Sequence, residues 1–106
     1  MMALTRSFRD TVKERVQRDP AFRDGLLAEA IDLLLSGDVQ TGKAVLRDYI
    51  NATVGFEPLS ARTGTPSKSL MRMFSPSGNP NARTLFAVIR ELQAHAGVVL
   101  ELKRAA

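Results

Sequence analysis

The 106-residue chain has no cysteine, which excludes disulfides, thiolate zinc sites and thiol nucleophiles together. It also lacks an apolar run of membrane-spanning length. Its most apolar stretch, Gly25 to Leu35, is interrupted by Glu29 and Asp32, whereas a bilayer crossing needs ~20 predominantly apolar residues. Arg6, Arg9 and Asp10 break up the beginning of the chain, so no secretory leader is expected and a cytoplasmic protein is. Without such a leader, Asn51-Ala52-Thr53 carries no weight as a glycosylation sequon. The single histidine, His95, has no partners at ligand or triad spacing. Beside Ala96-Gly97 it is expected to meet the dipole at a helix end. The eleven carboxylates are mostly interspersed with Lys and Arg, as at Arg9-Asp10 and Arg47-Asp48, a pattern of surface ion pairing rather than acid/base chemistry. No enzymatic activity, cofactor or metal is therefore expected.

One regional absence is more telling. Between Pro58 and Arg90 there is no Asp or Glu, but there are Arg62, Lys68, Arg72, Arg83 and Arg90. From Met1 to Val54 eight basic residues balance eight acidic ones, and from Gly55 onward seven basic residues face three acidic ones. The whole net charge of +4 thus lies in the second half, and a field of one sign attracts polyanions.

What is present is mostly helical signal within a length that suits one domain, 1–106. Thr5 is a candidate N-cap, and Leu4, Phe8, Val12 and Val16 recur every four residues, marking a helix to about Arg18. Asp19-Pro20 restarts the chain with a capping carboxylate and a proline at the first helical position. The following helix carries a wide apolar arc of Phe22, Leu26, Leu27, Ala30, Leu33 and Leu34, which places it at the centre of the core. Ser36-Gly37 ends it, and Asp38 can cap a third helix with Val39, Leu46, Tyr49, Ile50 and Thr53 on one side, closed by Gly55. Two short helical stretches and the turn-rich Ser75-Pro76-Ser77-Gly78-Asn79-Pro80 follow. A final helix over 81–96 shows Leu85, Val88, Ile89 and Leu92 on one face. The β-branched, alternating tail Val98-Val99-Leu100-Glu101-Leu102 predicts a short strand over 98–103. A lone strand needs a partner, which makes a homodimer the expectation.

The segment from Gly37 to Ala44, GDVQTGKA, nearly spells a phosphate-binding loop. It ends on Ala44, which has no hydroxyl for magnesium, and it follows a helical run instead of a strand. A helix cap and the start of the third helix are expected there.

The stretch 56–74 carries the functional expectation. On a helical wheel Phe56, Leu59, Ser60 and Thr63 share an arc, while Leu70, Met73 and Phe74 share another. Gly64 between them suits a tight interhelical turn, small Ser60 lets the two helices approach, Thr65-Pro66 sets the entrance to the second helix, and Ser67 or Thr65 can cap it. Lys68 and Arg72 lie opposite Leu70, flanked by Ser69 and Met71. With Leu70 and Met73 pinned to the core, this outer face is free to enter a major groove, and its cations can donate to guanine O6/N7 or to phosphate. The candidate DNA-binding residues are Thr65, Ser67, Lys68, Ser69 and Arg72, with Ser77, Asn79 and Arg83 from the loop and helix that follow, since polar loops commonly hold phosphates.

The pattern Leu59-Ser60-x-x-Thr63-Gly64…Leu70-x-x-Met73 resembles the helix-turn-helix of phage-repressor-like proteins. More widely, RDPAFRDGLLAEAIDLLLSGD, AVLRDYINATVGFEPLS, TGTPSKSLMRMFSPSGNPN and VIRELQAHAGVVLEL resemble the addiction-module antidote proteins, the helix-turn-helix antitoxins of type II toxin–antitoxin systems, similar to the HigA group. The likeness spans roughly residues 4 to 102, with SKSLMRMFSPSGNP its most specific part. Ser60 stands where these proteins usually carry alanine, and Thr63 where leucine is usual. The resemblance implies an all-α, repressor-like bundle with extra N-terminal helices over 1–54, binding to double-stranded operator DNA, repression of its own operon, and a RelE/HigB-type toxin as partner. The alternative is a protein-interaction module or toxin-neutralising protein without DNA binding, for which the charge-neutral N-terminal half is the natural surface.

Overall fold

The computed structural model describes the backbone of residues 2–105 and the side chains of residues 10–105. The described residues form six helices and no strand: α1 (Met2–Arg18), α2 (Pro20–Leu35), α3 (Val39–Ala52), α4 (Phe56–Thr63), α5 (Ser67–Met73) and α6 (Ala82–Ala96). None is long and apolar enough to cross a membrane. α1 already begins at Met2, so Thr5 lies inside the helix and is not its N-cap as expected; its side chain and those of the stripe residues Leu4 and Phe8 lie outside the described ones. Of the rest of that stripe, Val12 is half-buried and Val16 buried.

Local chemistry sets the helix starts. Asp19 accepts the Phe22 N–H at 3.1 Å, with Pro20 inside the first turn. Asp38 accepts the Thr41 N–H at 3.2 Å, and Asn81 accepts the Thr84 N–H at 2.9 Å. Each satisfies an amide that the helix cannot pair internally, worth about 1 kcal/mol. Gly37 to Ala44 forms the turn into α3 and its opening residues, as expected, and Gly42 lies buried against Leu34 of α2.

One contiguous core draws on all the later helices: Leu27 and Ala30 from α2, Leu46, Tyr49 and Ile50 from α3, Phe56 and Leu59 from α4, Leu70 from α5, then Phe74, Val88 and Leu92. Two expectations change here. α3, not α2, is the most deeply buried helix, because the α2 arc is too wide for one neighbour to cover: Phe22, Leu26, Leu33 and Leu34 are only half-buried. Val39, expected inward, is the first residue of α3 and is 46% exposed. Arg23 ties the first turn of α2 to the end of α6, its Nη2 donating to the Ala96 carbonyl (3.2 Å). Arg15 lies over the Phe22 ring at 4.4 Å.

The C-terminal segment departs from the expected strand. Residues 98–105 have no ladder partner among the described residues. They are tied to α6: the Val98 N–H donates to the Gln93 carbonyl (3.0 Å), and the Leu100 N–H to Gln93 Oε1 (2.7 Å). Val98 and Leu100 pack against the core, while Val99 and Leu102 are 81% and 95% exposed. The alternation is real, but a helix face, not a strand, receives it.

Tyr49 is fully buried, and its hydroxyl has no hydrogen-bond partner among the described residues. Removing an unpaired buried hydroxyl relieves its desolvation cost, so Tyr49→Phe is expected to stabilise the fold by about 1 kcal/mol in a denaturant titration. Burial raises the phenol above its ordinary pKa of 10.0, with Arg23 opposing and Asp24 reinforcing. The unfolded chain therefore ionises first as pH rises past the ordinary value. Stability present below that pH is lost on the alkaline side, and the Tyr49→Phe variant should lack this part of the loss.

Candidate nucleic-acid interface

α4 and α5 form a helix pair joined by a tight turn. Gly64 adopts φ 77°, ψ 7° as the C-cap of α4, a left-handed conformation that costs other residues roughly 1–2 kcal/mol. Thr63 turns its hydroxyl back to the Leu59 carbonyl (2.9 Å), and the same oxygen accepts the Thr65 N–H (3.3 Å). A polar residue thus occupies this inward position with its hydrogen bonds satisfied. The start of α5 differs from expectation. Pro66 is the N-cap and no side chain caps the helix, because Ser67 is already the first helical residue. Its hydroxyl instead donates to Glu57 Oε2 of α4 (2.9 Å).

α5 is held by its inner side. Leu70 is completely buried, Phe74 nearly so, and Met73 is half-buried against the same core. The rings of Phe74 and Phe56 meet with centroids 6.4 Å apart in a tilted geometry, a favoured aromatic arrangement. With these three side chains inward, the helical period turns Lys68 and Arg72 outward, and both are exposed. Neither forms an ion pair among the described residues; the pairs present are Arg15–Asp19, Arg23–Asp24 and Arg62–Glu91. Two cations one helical turn apart thus stand unneutralised on one face. Arg62 is different: at 3.8 Å from Glu91 it braces α4 against α6.

Neither a family model, nor a curated protein, nor a solved structure matches the chain. Its chemistry is therefore read from the residues alone.

Four of the expected site residues converge. Ser69 and Arg72 from α5, together with Ser77 and Asn79 from the loop after it, line one shallow groove of about 440 Å³ with Met73 and Gly78. Lys68 shares the exposed face of α5, and Thr65 stands half-buried in the turn before that helix. Ser67 is committed to Glu57. Arg83 is exposed in the first turn of α6 and is not among the groove's lining residues. The arrangement offers hydroxyls, an amide and a guanidinium to an acceptor-rich ligand.

Sequence reasoning missed how the loop is held. α3 reaches it with three side chains. Lys43 Nζ donates to the carbonyls of Pro76 (3.3 Å) and Gly78 (2.6 Å), Gln40 Nε2 donates to Pro76 (3.0 Å), and Arg47 Nη1 reaches the Phe74 carbonyl at 3.4 Å. Arg47 thus serves the loop and does not form the expected pair with Asp48; Arg9, of the other expected pair, lies outside the described side chains. Lys43 is only 3% exposed, a buried charge that its carbonyl partners make tolerable. The sequence signals only the burial of Lys43, which lies three residues before Leu46 and seven before Ile50, within the buried stripe of its own helix.

Gly78 completes the clamp. A Cβ there would lie 1.8 Å from the Arg72 carbonyl oxygen and 2.8 Å from that of Met73, so the loop can close against the end of α5 only without a side chain. Gly78→Ala is expected to force the loop outward at a cost of about 2–3 kcal/mol, read as a lowered midpoint in urea.

Proposed function

We propose that this chain is a sequence-specific DNA-binding antitoxin that represses its own operon, with α4 and α5 as a helix-turn-helix and α5 as the helix that enters the major groove. One observation carries the DNA-binding part: Lys68 and Arg72 stand exposed and unpaired on α5 while Leu70 and Phe74 fix the opposite side. A helix braced in this way presents cations at a set angle, which is what base-edge recognition requires. In this reading Arg72 donates to a guanine edge or to a phosphate beside it, Lys68 and Ser69 to neighbouring bases or phosphates, and Ser77 and Asn79 to the backbone.

The antitoxin part rests on the resemblance of residues 4 to 102 to the addiction-module antidote proteins, and so does a RelE/HigB-type toxin as partner. A homodimer would read two half-sites about one helical turn apart. No catalysis, cofactor or metal enters this function.

The test is a fluorescence anisotropy titration with the duplex immediately upstream of the chain's own reading frame, against a scrambled duplex of the same composition. Specific recognition predicts binding about 10³-fold tighter or better for the upstream duplex. Equal affinity for the two sequences would refute specific recognition of this DNA.

A further inference from the structure

We infer that buried Lys43 is a positioning residue that turns the 75–79 loop into a receptor for a backbone phosphate of duplex DNA, an inference that rests on the DNA-binding reading above. All peptide bonds described are trans, and in a planar trans peptide the N–H points opposite the C=O. Lys43 Nζ draws the Pro76 and Gly78 carbonyls toward the interior. The amides of the same two peptide units, those of Ser77 and Asn79, must therefore point away from Lys43. Neither amide has an acceptor among the described residues. The amide between them, Gly78 N–H, is spent on the Ser75 carbonyl (3.0 Å), so a two-amide pattern remains. Ser77 and Asn79 line the groove that also holds Ser69 and the unpaired Arg72. Two backbone donors, two hydroxyls and a guanidinium around one opening suit a phosphate diester, which presents two anionic oxygens.

Lys43 cannot reach the DNA itself at 3% exposure. Its effect on binding must pass through the loop. Replacing it with methionine keeps the volume and apolar stem, leaves the Pro76 carbonyl to Gln40 alone, and frees the Gly78 carbonyl to rotate toward water. The loop then loses the force that orients its amides.

The test pairs a ¹⁵N NMR titration with salt-dependent binding, for the wild-type chain and the Lys43→Met variant, all using one random-sequence duplex of about 20 base pairs, since a phosphate contact is indifferent to sequence. In the wild type the Ser77 and Asn79 amides should shift on adding duplex. In Lys43→Met affinity should fall roughly 10-fold and the Ser77 and Asn79 amides should no longer shift, while the slope of log affinity against log salt stays nearly unchanged, because neutral amides neutralise no phosphate. Unchanged affinity with amides that still shift overturns the role of Lys43. Lys13→Met, which removes the same charge from the exposed side of α1, should leave the affinity within about twofold of the wild type. Wild-type binding with unmoved Ser77 and Asn79 amides overturns the role of Lys43 and leaves the DNA-binding reading standing. No binding of any duplex by the wild type overturns both. Unmoved wild-type amides overturn the proposal even where the variant folds poorly.

Discussion

Replacing Lys68 and Arg72 together by alanine is expected to weaken binding of the upstream duplex roughly 100-fold or more while leaving the fold intact. Arg72 alone should account for about 1–3 kcal/mol if its guanidinium reads a base edge, and Lys68 adds a cationic contact to base or phosphate. Both side chains are exposed and without ion-pair partners among the described residues, so nothing in the folded chain is left unsatisfied by their loss. Stability should stay within about 0.5 kcal/mol of the parent. Anisotropy titration and a urea melt of the same preparation check both halves of the expectation. A large fall in stability would mean that the two cations serve the fold and not a ligand.

Phe74→Ala should behave in the opposite way. Phe74 is nearly fully buried where α5 ends, packed on Phe56, and its carbonyl receives Arg47 from α3. Truncating a buried phenylalanine costs about 3–5 kcal/mol through lost transfer energy and the cavity left behind, a large fraction of the roughly 5–15 kcal/mol that holds an ordinary domain together. The urea midpoint should fall sharply. DNA affinity should fall as well, but only through the population of folded chain and the slackened angle of α5. Under strongly native conditions the intrinsic affinity of Phe74→Ala should exceed that of the Lys68/Arg72 double variant. The two variants therefore separate a residue that holds the helix from residues that use it.

What the sequence makes legible divides by distance along the chain. The boundaries at Asp19-Pro20, Asp38 and Gly64 depend on hydrogen bonds and dihedral angles within a turn or two, and the helices begin and end there. The outward placing of Lys68 and Arg72 follows from the position of Leu70 alone, since the helical period fixes the opposite face. The N-cap of α5 lies one residue from where a serine cap would put it. Pro66 takes that position, which moves Ser67 from a capping role to a bond with Glu57. The tail mimics a strand because one-sided burial alternates in the same way whether a strand or a helix receives it. Val98 and Leu100 face the core, and Gln93 at the end of α6 accepts both of their amides, one through its carbonyl and one through its side chain.

The clamp from α3 is out of reach of local pattern for a different reason. Lys43 meets Pro76 and Gly78 across 33 and 35 residues, and no short-range signal pairs a lysine with backbone carbonyls so far away. The near-match to a phosphate-binding loop points to this lysine for the wrong chemistry. Its ammonium serves the protein's own carbonyls.

The most direct measurement is the salt dependence of duplex binding by the parent chain and by the Lys68/Arg72 double alanine variant, in matched buffers from low to moderate ionic strength. Contacts from both cations to phosphates predict a steep negative slope for the parent and one about 1.8 smaller in magnitude for the variant; base reading by Arg72 predicts a loss of about 0.9 with the larger loss of affinity at every salt concentration. Identical slopes and affinities for the two proteins would contradict the assignment of this face of α5 to DNA.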